Sequence, residues 1–211
     1  MMAQASLRER KKARTRASLR EHALRLFREQ GYQATTVEQI AAAAEVSPST
    51  FFRYFPTKED VVLQDDMDTR LLEALARQPA DLNPISAVRA AVREAWDSFT
   101  PTEWEQIKEG GKLSLEVQEI RSRSMDEFSR IINVVADGLA GRTGLPAGDM
   151  RVRAFAGAVM GVMMSVFLPQ GPDTEVSAEA MADWMGPSSV ERIDAALALM
   201  EEGFPLKNRN I

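Results

Sequence analysis

At 211 residues, 45% hydrophobic and 27% charged, the chain is long enough for one large domain or two small ones with a sizeable core, which excludes a disordered or membrane-embedded class. It has no cysteine and one histidine, His22, which excludes disulfides, thiolate nucleophiles and Cys/His zinc sites and makes a reducing cytoplasm the expected location. The net charge of −5 is unevenly placed: residues 1–60 carry 11 basic and 7 acidic side chains, a net of +4, leaving −9 for the remainder.

Helical spacing predicts a first helix over residues 8–30, with Leu19, Ala23, Leu26 and Phe27 on one face and Gly31 as its stop. Its first residues are basic and polar, without the apolar run of a signal peptide. Val37, Ile40, Ala41 and Ala44 mark a short second helix. Thr36-Val37-Glu38-Gln39 has the form of a capping box, and a register starting at Thr35 works too. After a turn at Glu45-Val46, Ser47 is an N-cap and Pro48 a first helical residue for a third element, which Pro56 ends after about two turns. Thr57-Lys58-Glu59-Asp60 caps the next helix. Leu63, Met67, Leu71 and Leu75 then predict one long helix from Thr57 to Arg77.

Ile85, Val88, Val92, Trp96 and Phe99 follow Pro84 at helical steps. Trp104 lies near the start of another helix, which Gly110-Gly111 is expected to interrupt as a hinge or a turn. Met125, Phe128, Ile132, Val135 and Leu139 form a narrow apolar seam, as do Val190, Ile193, Leu197, Met200 and Phe204. Between them a helix runs from Met150 to Leu168. Its uncharged stretch offers only about fifteen apolar helical residues, short of the roughly 20 a bilayer needs. No membrane association is expected.

No run alternates in the manner of a strand, so the fold class is all-α. Two short helices joined by a tight turn, beside a basic arm, describe a helix-turn-helix. This divides the chain into an N-terminal three-helix DNA-binding domain with its basic arm, residues 1–56, and a larger C-terminal helical bundle, residues 57–211. A basic module on an acidic body fits nucleic-acid binding at one end, although a solvated arm would carry the same charge. On this reading Ser47 to Phe55 enters the major groove. Ser49 and Thr50 offer hydroxyls, and Pro48 or the Thr50 methyl can meet a thymine methyl. Arg53 can pair with guanine or clamp a phosphate, Tyr54 and Lys58 sit where backbone oxygens pass, and Thr36 offers its hydroxyl to another phosphate. Phe51 and Phe55 face the protein's own core. Arg8 to Arg16 would supply diffuse attraction as an arm, with a minor-groove contact possible.

Gly31-Tyr32, Thr35-Thr36-Val37, Ile40-Ala41, Val46-Ser47, Thr50-Phe51-Phe52-Arg53-Tyr54-Phe55 and Lys58-Glu59 together resemble the signature of TetR-family transcriptional regulators, over roughly residues 8–63. The resemblance implies a DNA-binding domain whose third helix reads the groove. It also implies a C-terminal domain that dimerises and usually holds a small-molecule effector. Two positions depart from the family pattern. Glu45 stands where glycine is frequent, at a cost of about 1 kcal/mol if that residue is left-handed. Phe52 replaces a frequent tyrosine, which leaves van der Waals contact in place of a phosphate-directed hydroxyl.

For a palindromic double-stranded operator the chain must form a homodimer. Gly157, Gly161 and Ser165 make a smooth stripe beside Met164, and Ile193, Leu197 and Met200 supply a second seam. These are the expected dimer residues. An effector site is expected where aromatic and Met side chains gather between helices: Trp96, Phe99, Trp104, Met125, Phe128 and Met163. A filled core would use the same residue types. The shortage of charge there predicts a largely apolar ligand. Neither a cofactor nor a metal is expected. No GxGxxG, Walker, GxSxG or HExxH motif occurs, and His22 reads as a surface residue rather than a general base, so no enzyme is expected. The expected function is a regulator, a repressor released from its operator by ligand. The alternatives are an activator of the same family or a helical protein–protein adaptor.

Overall fold

The structure is a computed structural model, and it describes residues 7–63, 66–166 and 186–205. Among these residues there are ten helices and no strand: α1 (Leu7–Gln30), α2 (Val37–Ala43), α3 (Pro48–Tyr54), α4 (Asp60–Leu63), α5 (Met67–Arg77), α6 (Pro84–Asp97), α7 (Pro101–Glu116), α8 (Gln118–Thr143), α9 (Met150–Ser165) and α10 (Ser189–Glu201). The all-α reading holds. Local chemistry sets most of the ends. Thr36 and Thr100 each close a full capping box, Asn83 accepts from the Ser86 N–H, and Gly31 (φ 85°) and Gly144 (φ 70°) stop α1 and α8 in the left-handed region.

Three expectations are corrected. The helix expected from Thr57 to Arg77 is two elements, α4 and α5, because Asp66 leaves helical geometry (φ −89°, ψ 8°). Asp65, Asp66 and Asp68 crowd negative charge there, which disfavours a helix interior and favours a new N-terminus. Gly110 and Gly111 do not interrupt α7. They are buried within it, and Gly110 faces α4, where a Cβ would meet the Val62 carbonyl oxygen at 3.5 Å, an ordinary van der Waals distance. The break comes instead at Val117, whose extended backbone (φ −100°, ψ 114°) separates α7 from α8. Lastly, α10 ends at Glu201, and Gly203 (φ 78°) turns the chain so that Phe204 leaves the seam and stands 45% exposed.

Two apolar cores result. The first joins Leu19, Ala23 and Phe27 of α1 to Ile40, Phe51, Phe55, Val61 and Val62, and takes Leu113 and Ile120 from either side of the Val117 break. It therefore continues past residue 56. The second is built from α5 to α10 around Leu75, Val92, Trp104, Leu139, Val159, Ile193 and Leu197. On its rim Arg89 of α6 donates to both Asp194 oxygens (2.8 and 3.0 Å) and to Glu201 (2.6 Å) on α10. The Arg89 hydrogen bonds, with Arg93 beside them, hold the Asp194 carboxyl below the usual carboxylate range despite its partial burial.

Arg89→Met is expected to lower unfolding free energy by about 2 kcal/mol at neutral pH in urea melts, the scale of a charge-assisted hydrogen-bonded pair. Since the Asp194 pKa is depressed in the folded state, this stabilisation exists at neutral pH and is lost as pH falls through the acid range. The gap between wild type and variant should accordingly narrow between pH 7 and about pH 3.

Candidate nucleic-acid interface

Thr36 caps α2 with its hydroxyl accepting from the Gln39 N–H, while Gln39 returns a bond to the Thr36 N–H at 2.9 Å and also takes one from Gln30. The chain leaves α2 through Ala44 and Glu45. Glu45 has φ 55°, so a non-glycine residue does occupy the left-handed position. The Val46 N–H donates back to the Ala41 carbonyl at 2.9 Å, which closes the turn.

Ser47 then caps α3, accepting from the Thr50 N–H, and its hydroxyl lies 2.8 Å from that of Ser49 and 3.0 Å from that of Thr50. A helix of seven residues has little stability of its own. Phe51 and Phe55, both fully buried, supply the anchor. Their burial turns the opposite side outward: Ser47, Pro48, Ser49, Phe52 and Arg53 are exposed, and Thr50 and Tyr54 are half-buried. Phe52, 51% exposed, packs edge-on against Phe51 with ring centroids 5.5 Å apart. The Arg53 guanidinium lies 5.4 Å from the Tyr54 ring centroid.

Residues 7–30 are continuous helix, as the spacing over residues 8–30 predicts, so the basic stretch from Arg8 to Arg16 is part of α1. Its first turns form one wall of an open groove of about 990 Å³ whose other wall is α3. Arg8, Lys11, Lys12 and Thr15 face Thr50, Arg53 and Tyr54 across it, with Glu45 and Val46 also in the lining. The spacing of the α1 residues, i, i+3, i+4, i+7, is a signal present in the sequence that the reading of an arm passed over.

Lys58 is placed differently from its expected outward role. Its ammonium donates to the carbonyls of Tyr32 (2.9 Å) and Thr35 (3.0 Å) and lies 3.9 Å from the Tyr32 ring centroid. Burial pushes the Lys58 ammonium below the usual lysine range, against the opposing charges of Glu59 and Glu119. The Tyr32 hydroxyl in turn donates to Glu59 at 2.6 Å. Burial alone would raise the Glu59 pKa. The hydrogen bonds from Tyr32, its own backbone N–H and Thr57, together with the Arg123 charge, bring it below the usual range. Arg123 of α8 also donates to the Thr57 hydroxyl (2.8 Å) and lies 3.5 Å from Asp60, and Gln33 donates to Glu119 (2.8 Å). A polar clasp thus ties the helix-turn-helix to the start of α8.

The effector residues are packed differently from expectation. Trp96 and Trp104 lie in the second core at 7% and 5% exposure, with centroids 6.0 Å apart, and Phe99 lies 5.2 Å from Trp104. The Trp96 indole N–H donates to Ser189 at 2.8 Å. Trp96 and Trp104 fill space between helices, whereas Phe99 also lines a small open pocket with Arg16, Arg70, Glu103 and Ile107, and Met163 packs against the same core as the tryptophans. The side chains of Met125 and Phe128 lie outside the described residues, as do Phe167 and Leu168 of the expected α9 helix. Of the dimer residues, Ile193 and Leu197 are fully buried within this one chain, so they face its core and not a partner. The seam correctly marks burial, but periodicity alone does not say against what. Met200 also packs against that core. On α9, Gly161 and Ser165 are exposed, and nothing lies within 4 Å of a Cβ built at Gly157 or Gly161. Met164 is half-buried. No helix among the described residues is long and apolar enough to cross a membrane, and no group of three or more His, Asp or Glu side chains among them is placed to hold a metal.

Comparison with known proteins matches residues 19–64 to the family model described as bacterial regulatory proteins, tetR family, and residues 82–205 to that of the MftR C-terminal domain. The HTH-type transcriptional regulator TcmR of Streptomyces glaucescens is 52% identical over 89 residues, covering 41% of this chain and 39% of that protein. The chain thus spans well under half of TcmR's length at that match. The HTH-type transcriptional regulator AcrR of Shigella flexneri is 26% identical over 183 residues, covering 78% of this chain and 84% of AcrR. Among solved structures, Thermus thermophilus FadR, a TetR-family transcriptional repressor in complex with lauroyl-CoA, superposes with a TM-score of 0.54 at 24% identity, covering 93% of this chain and 98% of that one.

Glu45→Gly should raise unfolding free energy by about 1 kcal/mol, by relieving the left-handed side chain. Lys58→Met should lower it by about 1 kcal/mol, because two loop carbonyls lose a charged donor. Chemical denaturation monitored by circular dichroism reads both.

Proposed function

Because the chain belongs to the TetR family of bacterial regulatory proteins, we propose that it is a DNA-binding transcriptional regulator, a repressor released from a palindromic operator by a small, largely apolar ligand. One observation carries this reading: α3 is bolted down by Phe51 and Phe55 while Ser47, Pro48, Ser49, Phe52 and Arg53 are exposed, and half-buried Thr50 and Tyr54, the latter packed against the same core, edge a groove beside a cationic face of α1. A major groove about 12 Å wide admits one helix of this kind. Base edges and phosphates then meet hydroxyls, a guanidinium and apolar surface within two turns. Thr36 presents its hydroxyl, together with the N-terminus of α2, to a neighbouring phosphate.

A single reading helix covers few base pairs, so the working form is a homodimer placing two α3 helices about 34–36 Å apart, or a multiple of that. The smooth outward side of α9, with Gly157, Gly161 and Ser165 and with Met164 beside them, supports close approach of a second copy. On α10 the outward residue is Leu199, 49% exposed, in place of the buried Ile193 and Leu197. Ligand release works by population shift: the effector must bind the non-DNA spacing more tightly than the DNA spacing, and only that difference acts. In this packing it enters by parting the Trp96, Phe99 and Trp104 rings. The protein is proposed to act in the cytoplasm, without an enzymatic step.

Selection from random-sequence duplexes should enrich a palindrome, and recovery of no palindrome would overturn the regulator reading. Arg53→Ala and Tyr54→Phe should each weaken binding to the selected duplex, by roughly tenfold and severalfold respectively, without changing the sedimentation of the dimer. Gly161→Arg should convert the dimer to folded monomers in sedimentation runs. A persistent dimer would rule out α9 as the shared surface.

A further inference from the structure

The groove between α1 and α3 sorts the outward residues of α3 into two sets. Thr50, Arg53 and Tyr54, spaced i, i+3, i+4, line it, whereas Pro48, Ser49 and Phe52 are exposed but outside the lining. On the opposite wall Arg8, Lys11, Lys12 and Thr15 share one face of α1. Among the described residues, four cations therefore line a single open trough, and Glu45 is the one carboxylate in its lining. We propose that this trough holds one sugar-phosphate strand of duplex DNA, with Arg8, Lys11, Lys12 and Arg53 on its phosphates, and that base discrimination falls to the Pro48, Ser49 and Phe52 edge of α3.

This assignment rests on α3 being the reading helix, and geometry supplies the rest. A major groove about 12 Å wide is filled by one helix of 10–12 Å diameter. With α3 inside, α1 must lie beyond the rim, so the gap between the two helices is where the strand bordering the groove passes. Arg8 and the Lys11–Lys12 pair are one helical turn apart, about 5.4 Å, enough to reach more than one nucleotide along a strand that rises 3.4 Å per residue. The Arg53 guanidinium lies 5.4 Å from the Tyr54 ring centroid, and both side chains line the trough, which Pro48, Ser49 and Phe52 do not. Arg53 thereby acts as a phosphate clamp rather than a guanine reader. Phe52, propped edge-on by Phe51, is left as the large apolar surface available to a thymine methyl.

The two roles separate in a salt titration of the full-length protein on its selected operator and on a scrambled duplex of equal length, between about 50 and 200 mM salt. The double variant Lys11→Gln/Lys12→Gln should lose affinity by the same factor on both duplexes, severalfold or more, and flatten the salt slope by about one for each phosphate contact removed per half-site. Arg53→Ala should show the same signature, leaving the operator-to-scrambled ratio unchanged. Glu45→Gln should tighten both duplexes equally. Phe52→Ala should collapse the ratio while the slope stays constant. An unchanged slope in the lysine variant, or an Arg53→Ala loss confined to the operator, overturns the proposal. Wild-type binding that enriches no palindrome yet shows the lysine effect would sink the regulator reading and leave the trough standing. An enriched palindrome with no lysine effect would do the reverse. Circular dichroism of each variant confirms that the fold is kept.

Discussion

Everything on the DNA-facing side depends on two benzyl groups one helical turn apart. Phe51 and Phe55 are both fully buried, and they are the means by which a seven-residue helix is held to the rest of the molecule. Such a helix is too short to persist alone, since nucleation costs more than two turns of hydrogen bonds return. Burial of each ring stabilises by roughly 1.5–3 kcal/mol relative to exposure, enough to change that balance. The same burial fixes the rotation of α3 about its axis. Once that rotation is set, the Ser47 hydroxyl cluster, Phe52 and the Arg53–Tyr54 pair have no choice of direction.

Around this anchor the polar groups work as braces. Lys58 ties the loop after α1, Tyr32 ties that loop to Glu59, and Arg123 joins the Thr57–Asp60 turn to α8. The partners are half-buried, so each bond is shielded from water more than a surface pair would be. From this clasp α8 continues into the second core, where it packs against α9.

The caps and the α3 boundaries were legible because their chemistry is local: Thr36 with Gln39, Ser47 with Thr50, and Pro48 at the first helical position all act within four residues. The all-α class followed from periodicity for the same reason. Lys58 was illegible as a brace because the carbonyls it meets lie 26 and 23 residues upstream, and backbone acceptors leave no mark in a sequence. Ile193 and Leu197 show the limit of an apolar seam, which states that a face is buried without naming the surface that covers it. Gly110 and Gly111 misled for a different reason. Glycine inside a helix lowers its stability without having to end it, and the packing of α7 against α4 carries the helix through both positions. The TetR-like signature over residues 8–63 pointed to the right family, while the chain's own departures, Glu45 and Phe52, are legible as substitutions but acquire meaning only from the φ of one and the exposure of the other.

The break at Val117 bears on how this architecture can be cut and recombined. Leu113 and Ile120 are supplied to the first core from outside the N-terminal segment, and α4 packs against α7. A fragment trimmed at the end of α4 would have an apolar window where those two side chains belong, open to water and prone to self-association. The DNA-facing unit is therefore no interchangeable cartridge. Grafting it onto another bundle demands that the new host present an equivalent pair of aliphatic plugs at the same height.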